Sequence, residues 1–284
     1  MALNKKSRSI LEHVQKILKE YDFRLSLRQI YYQLVARQVI TNCEASYKML
    51  SRLCTIGRDE GLLSEDCFTD RLRIVDKPSM WTDLADFIHV VKTTYRRDPW
   101  FDQENYVEIW SEKDALRTVF YTITYGYGVP LLIVRGQVSR TAIYEAHNRF
   151  SEKIKNGKMC YLFYFGDFDP SGLAIYNSLV KRLRDFGDCG RHIIFERIAL
   201  TGDQIDQYKL PQDPAKKTDP NYRRFVLEYG DNVVELDALP PDALMQMIRD
   251  AIKDLIDYAA WVRSSEMELK EKETIQNIEC RLSE

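Results

Sequence analysis

Residues 159–172 read MCYLFYFGDFDPSG, and this stretch decides the fold class of the chain. Its first half, Met159–Phe165, is a run of apolar and aromatic residues, which is typical of a strand buried on both faces of a parallel sheet. Its second half places Asp167 and Asp169 in a turn before a helix that begins near Gly172. A buried strand, an acidic turn and a helix form the repeating unit of an α/β fold.

Similar strand–helix units lie on both sides of this stretch. The sequence predicts further strands at 106–110, 129–134 and 192–197, and helices that begin near residues 112 and 139. This alternation predicts a Rossmann-like parallel sheet with right-handed crossovers. Residues that follow the strands then meet at the carboxyl edge of the sheet, where such sheets bind their ligands.

The first 80 residues follow a different pattern. Apolar residues at helical spacing predict helices over 9–21 and 26–38, with Ser26 as the N-cap of the second, and a third helix that ends near Gly61. Alternating residues over 67–75 predict a β-ribbon. Three helices followed by a ribbon form the winged variant of the helix-turn-helix module.

The chain therefore divides into four parts. We expect a winged-helix DNA-binding domain at 1–80, a linker helix and loop at 81–105, an α/β metal-binding domain at 106–240 and a C-terminal helical segment at 241–284. The polar break at 96–99 marks the linker. The charged tail of the last segment is assigned no chemistry.

Composition is that of a globular protein, with 284 residues, 45 % hydrophobic and 30 % charged. The first 80 residues hold four more basic than acidic residues, although the net charge of the whole chain is −2. A mildly basic end is consistent with a polyanionic partner.

The six cysteines form no CxxC pair, which predicts reduced thiols in the cytoplasm, or near the nucleoid if the source is prokaryotic. No apolar run has the position of a secretory signal or the length of a membrane span, so we expect no membrane contact.

Three carboxylates follow two of the predicted strands. Glu112 comes directly after the first strand, and Asp167 and Asp169 come after the third. Carboxylates that converge at one sheet edge repel one another unless a cation lies among them, and Mg²⁺ or Mn²⁺ suits such oxygen ligands. The alternative is structural, since Asp-x-Asp is a common turn or cap and Glu112 favours a helix N-terminus. Glu108 is the rival ligand, but it lies inside the strand.

A tyrosine and an arginine share one face of the second predicted helix. Arg28 and Tyr32 are four residues apart, so their side chains lie side by side. A phenol is a poor nucleophile near neutral pH, but a neighbouring guanidinium favours the phenolate and holds a phosphate. This pairing is what attack on a phosphodiester requires. The alternative is that these side chains belong to a core, and Tyr31 is the second candidate nucleophile.

The third helix carries an exposed polar stripe at i, i+4 and i+7, opposite its apolar face. Such a stripe is expected to contact the phosphates and the groove of duplex DNA, with an affinity that falls steeply as salt rises. The alternative is a solvated charged face without a partner. The candidate DNA contacts on this helix, at its edge and on the ribbon are Lys48, Arg52, Thr55, Arg58, Arg71 and Arg73.

These motifs resemble those of a known family. Glu112 and the segment 166–172 resemble the Toprim domain that topoisomerases, bacterial primases and related nucleases share. The form of 166–172, together with Arg-x-x-Tyr-Tyr at 28–32 and RGQVS at 135–139, is similar to the A subunit of type IIB topoisomerases (topoisomerase VI) and to the meiotic double-strand-break transesterases. The resemblance spans roughly residues 20–200 and is specific at the motifs.

The resemblance implies a mechanism. Glu112, Asp167 and Asp169 would bind the metal, and Tyr32, assisted by Arg28, would attack DNA to leave a 5′-phosphotyrosyl link. The family works as a homodimer in which the tyrosine of one protomer meets the metal site of the other. The chain has no Gly-rich loop of the Walker kind, so ATP-driven strand passage would require a separate ATPase subunit.

Three functions remain open from the sequence. The first is a DNA transesterase that forms a covalent adduct through Tyr32. The second is a Toprim metal-dependent nuclease without a covalent tyrosine intermediate, in which Asp167 is required and Tyr32 is not. The third is a non-catalytic DNA-binding module whose Toprim domain is a scaffold.

Overall fold

The centre of the molecule, seen in a computed structural model, is a four-stranded parallel sheet. Its strands are β1 (Asn105–Ser111), β2 (Leu131–Ile133), β3 (Met159–Phe165) and β4 (Ile193–Ala199), in the order β2-β1-β3-β4. All neighbouring pairs run parallel, which confirms the predicted α/β class. β1 and the distal part of β3 are buried, as expected for strands with helices on both faces.

The structure describes residues 4–21, 25–64, 67 and 78–282. Two very short strands, β5 (Asp213–Pro214) and β6 (Asn232–Val233), pair antiparallel outside the main sheet. The α-helices in the described part of the chain are α1 (Lys5–Lys19), α2 (Leu27–Ala36), α3 (Glu44–Asp59), α4 (Leu84–Thr94), α5 (Arg117–Gly126), α6 (Arg140–Lys155), α7 (Pro170–Phe186), α8 (Gly202–Tyr208), α9 (Tyr222–Tyr229), α10 (Pro241–Lys253) and α11 (Tyr258–Leu282).

The sheet separates two hydrophobic cores. On one face, α6 and α7 cover a core that includes Trp110, Phe150 and Tyr164. On the other face, α5 and α10 pack together over Phe120 and Phe165, and this larger core continues into the N-terminal helices. The N-terminal helices and the α/β part therefore share one apolar interior.

The three predicted N-terminal helices are confirmed, although α1 begins at Lys5, four residues before its predicted start, and ends at Lys19. Ser26 caps α2 with a full capping box: the Gln29 backbone amide donates to the Ser26 hydroxyl, and the Ser26 backbone amide donates to Gln29 Oε1. Except for Cys67, the predicted ribbon at 67–75 lies outside the described residues, so the winged character of this unit stays a prediction.

Three elements differ from the sequence-based expectation. The helix after β1 is delayed, because a 3-10 turn at Asp114–Leu116 precedes α5. α7 begins at Pro170 rather than near residue 172, because the Asp169 carboxylate caps it and proline suits the first helical turn. The charged tail forms the long helix α11, which packs along α4. No helix in the described ranges is long and apolar enough to cross a bilayer.

Candidate active site

The register of the sheet brings the two acidic motifs together. Ser111 at the end of β1 lies beside Phe165 at the end of β3, and the Glu112 amide donates to the Phe165 carbonyl at 3.2 Å. Glu112 and Asp167 therefore leave the carboxyl edge of the sheet side by side, as the alternation of strands and helices predicts.

Two glycines allow the acidic loop to fold this closely. A Cβ on Gly166 would lie 2.9 Å from Glu112 Oε2 and 2.6 Å from a ring carbon of Tyr164. A Cβ on Gly172 would lie 2.4 Å from the Asp167 carbonyl oxygen. Both positions exclude larger residues, because the loop and the Glu112 side chain occupy the space a side chain would need.

Glu112 and Asp167 form a closely spaced carboxyl pair. Burial raises the pKa of Glu112 to about 8, with further contributions from the charge and hydrogen bond of Asp167. The Tyr164 hydroxyl donates to Glu112 Oε2 at 3.1 Å. Two carboxylates this close do not both ionise readily, so the pair holds a proton near neutral pH or requires a cation.

The two aspartates are held differently. Asp167 accepts from the Leu236 amide at 2.7 Å through Oδ1, and its Oδ2 lies 2.8 Å from Lys113 Nζ. Asp169 is turned toward α7, where its Oδ1 accepts from the Gly172 amide at 2.6 Å. Burial raises the pKa of Asp169, and the nearby charge of Asp167 adds to this effect.

Lys113 joins the carboxyl pair to a second acidic group. Its Nζ lies 3.4 Å from Glu235 Oε2 and 3.4 Å from Asp237 Oδ2. Asp237 is 2 % exposed, and neither of its carboxylate oxygens has a hydrogen-bond donor among the described residues. Burial raises the pKa of Asp237 to about 6, although Lys113 and Arg28 oppose the shift.

Backbone contacts place this second acidic group beside the first. Phe168, between the two aspartates, forms an antiparallel bridge with Val234, with amide-to-carbonyl distances of 2.9 and 3.0 Å. The residues that follow Val234 are therefore aligned with Asp167. Arg197 supports the loop from β4, since its guanidinium donates to the carbonyls of Gly166 and Asp167.

The first turns of α2, which carry Arg28 and Tyr32, contact the same acidic cluster. Arg28 forms an ion pair with Glu235, and its Nε lies 3.9 Å from Asp237 Oδ2. The Tyr32 hydroxyl has Glu235 and Arg28 as its hydrogen-bonding neighbours, and the Arg28 guanidinium lies 5.9 Å from the centre of the Tyr32 ring.

Tyr32 is a protonated phenol in this arrangement. It is 7 % exposed. Burial is the main cause that raises its pKa, and Glu235 adds to the increase, whereas Arg28 acts in the expected opposite direction. Because Arg28 is paired with two acidic groups, less of its positive charge serves to favour the phenolate.

Two rival residues have other partners. The Tyr31 hydroxyl donates to Asn42 Oδ1 at 2.9 Å and lies 3.2 Å from the Cys43 carbonyl oxygen. Glu108, buried inside β1, accepts two hydrogen bonds from the Arg149 guanidinium at 2.9 Å each, and one each from Tyr106 and Trp110 at 2.8 Å. These four contacts pair Glu108 with donors inside the fold.

The predicted DNA-contacting stripe lies on the surface. Lys48, Arg52 and Thr55 are exposed on α3, although Lys48 is paired with Glu44 at 2.6 Å. Arg58 is half-buried at the edge of the stripe. The two ribbon residues, Arg71 and Arg73, lie outside the described residues. In the loop after β2, Arg135 pairs with Asp114 at 2.9 Å.

The residues fit a divalent cation in part. Glu112 and Asp167 are two adjacent oxygen ligands whose mutual repulsion a cation would relieve. Asp169 is close but is turned to cap α7, and Lys113 supplies the positive charge that contacts Asp167. Among the residues with described positions, no group of three or more acidic, histidine or cysteine side chains is arranged around one point.

Sequence reasoning missed the residues that complete the cluster: Lys113, Arg197, Glu235 and Asp237. Glu235 and Asp237 repeat the pattern of an acidic pair at alternate positions after a strand, but β6 is too short to be recognised from its periodicity. Lys113 directly follows Glu112, and its position in the sequence does not show which carboxylates it contacts.

The comparisons with known proteins add no relative. No protein-family model matches the sequence, and no curated protein matches it at a significant level.

Proposed function

We propose that this chain binds duplex DNA through an N-terminal winged-helix unit and cleaves it by transesterification with Tyr32 as the nucleophile. The observation that supports this proposal is the convergence of Arg28 and Tyr32 with the Glu112–Asp167 pair on one cluster, joined by Lys113 and Glu235. A nucleophile, an arginine and paired carboxylates are the groups that a tyrosine-based phosphoryl transfer needs.

The chemical step has a simple balance. The Tyr32 phenol passes its proton to the adjacent Glu235 carboxylate, and its oxygen forms a bond to phosphorus. The bond from phosphorus to the 3′ oxygen breaks, and that oxygen takes up a proton from solvent water to leave a free 3′-hydroxyl, while Glu235 returns the phenol proton to solvent. The product is a 5′-phosphotyrosyl link, which makes the step reversible, because the hydroxyl can attack it again.

The remaining groups stabilise the charge that develops on the phosphate. Arg28 binds a non-bridging oxygen and keeps Glu235 ionised, since its charge lowers the pKa of that carboxyl together with Lys113. Glu112 and Asp167, with Asp169 beside them, would hold Mg²⁺ or Mn²⁺. When bound, such an ion supplies Lewis-acid neutralisation of the phosphodiester.

DNA is proposed to approach along α3. Its exposed stripe of Lys48, Arg52 and Thr55 supplies phosphate contacts, and the ribbon arginines, Arg71 and Arg73, are proposed to extend them. A homodimer would place two such sites on one duplex and convert two nicks into a double-strand break. Strand passage would require a separate ATPase subunit.

One observation favours a second function. Tyr32 is 7 % exposed, so little of its side chain is accessible to a phosphate in this conformation. A metal-dependent nuclease that uses water as the nucleophile needs only the carboxylates. This alternative shares the site and differs in the nucleophile.

A cleavage assay distinguishes these functions. Supercoiled plasmid is incubated with the protein and Mg²⁺ or Mn²⁺, quenched with detergent, and analysed with and without protease digestion. Wild type is compared with Tyr32→Phe and Asp167→Asn. The matched controls are Tyr258→Phe and Asp254→Asn, at exposed positions away from the cluster.

For the transesterase, wild type gives nicked or linear DNA whose 5′ ends carry protein, and both site variants lose it while both controls keep it. Cleavage that survives Tyr32→Phe but not Asp167→Asn supports the nuclease and overturns the transesterase. DNA binding without any product under either metal leaves a non-catalytic binding module.

A further inference from the structure

A cavity of about 310 Å³ lies beside the acidic turn, between α7, α9 and β4. α7 begins at Pro170, directly after Asp169, so the first turns of this helix join the turn to the cavity. The proposed cleavage step uses no group that lines the cavity except Arg197, which supports the acidic loop. The cavity walls include Tyr176 and Asn177 of α7, Arg197 of β4, and Arg224, Phe225 and Tyr229 of α9.

Two walls of the cavity contact the proposed metal site through one intervening side chain. On α7, the ring centre of Tyr176 lies 5.2 Å from that of Tyr164, whose hydroxyl donates to Glu112. On α9, the ring centre of Tyr229 lies 5.4 Å from that of Phe168, the residue between the two aspartates. A ligand in the cavity would therefore lie next to a phosphate held at the acidic cluster.

Arg197 supplies positive charge at this cavity. Within the described part of the chain, the hydrogen bonds of its guanidinium all go to backbone carbonyls, those of Gly166, Asp167, Gly172 and Leu200. The charge is thus held in place by neutral acceptors. An electron-rich or anionic group of a ligand would be attracted to it, and the exposed Arg224 at the same cavity adds a second cation.

The lining indicates a planar ligand with polar edges. Aromatic side chains stack on the face of a nucleobase, and an asparagine amide such as that of Asn177 offers a donor and an acceptor to its edge. The volume is at the lower end of the range of ligand cavities, about 300 Å³ upward, which suits one base rather than a larger ligand. A purely apolar ligand would leave the polar groups unpaired, and a simple anion would not use the aromatic walls.

We propose that this cavity binds a single nucleobase of DNA, taken out of the stack beside the phosphodiester at the acidic cluster. This inference rests on the proposed binding of duplex DNA at that cluster and adds a base contact to it. Extruding a base costs the energy of unstacking and unpairing, and the cost is least for a base that is already unpaired. The protein should therefore prefer a duplex that carries an unpaired base.

Three duplexes of the same flanking sequence test the proposal. The first has one unpaired base at its centre, the second has an abasic residue at that position, and the third is fully paired. The first two share the same backbone bulge and differ only in the base. Affinities are measured by fluorescence anisotropy in chelator and again in Ca²⁺, with wild type, the double variant Asn177→Ala/Tyr229→Ala and the control Tyr144→Ala.

The ratio of the affinities for the two bulged duplexes is the decisive measurement. Wild type should bind the duplex with the base at least about fivefold more tightly than the abasic one, because one stacked base is lost. The double variant should bring this ratio to within about twofold of one, while its affinity for the paired duplex stays within about twofold of wild type. A ratio of one in wild type, or a ratio that the double variant leaves unchanged, overturns the proposal.

The variants are chosen at accessible positions. Tyr229 is 45 % exposed and Asn177 is exposed, whereas the control Tyr144, 52 % exposed on α6, does not line the cavity. Tyr229→Phe keeps the ring and should keep the wild-type ratio, and circular dichroism checks that each variant is folded. A Tyr144→Ala protein that loses the ratio as well would show that the effect does not come from this cavity, which contradicts the proposal.

Free nucleotide is the other source of the same chemistry. Deoxynucleoside monophosphates are titrated into wild type and the double variant. Binding that the double variant loses, together with a ratio of one for the bulged duplexes, would assign the cavity to free nucleotide and overturn its assignment to DNA.

Failure of the transesterase and failure of this inference give different results, because neither binding buffer requires cleavage. A base preference in a protein that forms no adduct through Tyr32 refutes the transesterase and leaves the base cavity supported. Adduct formation without a base preference does the reverse. A protein that binds none of the duplexes, in chelator or in Ca²⁺, refutes both.

Discussion

Two glutamates four residues apart show the difference between a carboxylate whose charge is compensated inside the fold and one that is crowded by a like charge. Glu108 is buried inside β1, and the Arg149 guanidinium, Tyr106 and Trp110 satisfy its oxygens. Glu112, just beyond the end of β1, faces Asp167, and burial with this neighbour raises its pKa to about 8. The chain compensates the first charge fully and leaves the second to be neutralised by a proton or a ligand.

The difference teaches where to search for function. A carboxylate whose partners are all within the fold contributes to stability and specificity, whereas one that is crowded by a like charge is held against an electrostatic cost. Such an unfavourable pair of like charges is expected at a binding site, where a substrate or cation can neutralise it. Substitutions at the two positions should therefore affect different measurements.

The largest expected effect is the loss of DNA cleavage in Glu112→Gln. We expect a decrease of about a thousandfold, because charge neutralisation by a bound metal is worth several kcal/mol and each ~1.4 kcal/mol is a factor of ten. The variant should remain folded, since it removes a repulsive interaction. Initial rates of plasmid nicking in Mg²⁺, with circular dichroism as the measure of folding, check both parts. A Glu112→Gln protein that cleaves DNA as fast as wild type would show that Glu112 is not required for cleavage and does not differ from Glu108 in this respect.

The second effect is on stability and lies at the other glutamate. Arg149→Met leaves the Glu108 carboxylate buried without its cation, and the free energy of unfolding should fall by about 3 kcal/mol, toward the lower end for a broken buried pair because Arg149 is partly exposed. Urea denaturation measures this decrease.

Cleavage by the same variant should match wild type at temperatures at which it is folded. Lys155→Met, at an exposed position on the same helix α6, is the control and should change stability by less than about 0.5 kcal/mol. An Arg149→Met protein as stable as wild type would show that Glu108 does not depend on this ion pair.

The sequence predicted the parts of this site that depend on local pattern. The apolar run 159–165 predicted β3 with its observed bounds, and the parallel alternation placed Glu112 beside Asp167. Ser26 was recognisable as an N-cap, because its hydroxyl precedes apolar residues at helical spacing. Short-range rules were sufficient for these elements.

The remainder depends on contacts between distant segments. Glu235 and Asp237 reach the cluster because Val234 bridges Phe168, and no local property of either segment specifies this pairing. The ion pair between Arg28 and Glu235 likewise depends on the packing of α2 against the 3-10 helix after β6. Periodicity and capping describe single elements, whereas these contacts join residues more than 60 positions apart in the sequence.

The third effect is a pH-dependent difference in stability. The pKa of Glu112 is about 8 in the fold and about 4.3 in an unfolded chain, so the folded state retains a proton that the unfolded state releases between these values. This group therefore stabilises the fold fully at low pH, and the stabilisation is lost as pH rises toward 8.

Glu112→Gln lacks this dependence. In metal-free buffer with chelator, the unfolding free energy of the variant relative to wild type should rise by about 2 kcal/mol between pH 5 and 8. This is a fraction of what the full pKa shift would give at ~1.4 kcal/mol per pKa unit. Urea titrations at three pH values measure the difference, and Asp237, whose pKa is about 6, contributes equally to both proteins. Parallel pH profiles of the unfolding free energy for variant and wild type would contradict a raised pKa of Glu112 in the fold.

The smallest effect extends the comparison to the proposed DNA surface. On α3, Lys48 is paired with Glu44 at 2.6 Å, whereas Arg52 is exposed, and the structure shows no ion pair for it among the described residues. Because the charge of Lys48 is already paired within the fold, we expect Arg52 to contribute more to the affinity for DNA. Arg52→Gln should weaken affinity for a 30-base-pair duplex about fivefold, and Lys48→Gln by less than about twofold.

Fluorescence anisotropy over a range of salt concentrations provides the measurement. Arg52→Gln should also lower the slope of log affinity against log salt by about one, because one phosphate contact is lost, and the ratio of variant to wild-type affinity should not depend on base sequence. Lys16→Gln, an exposed change on α1 outside the stripe, should bind as wild type does. Equal losses at Lys48 and Lys16 would mean that binding follows overall charge, and an internal partner would then be no guide to which cations contact DNA.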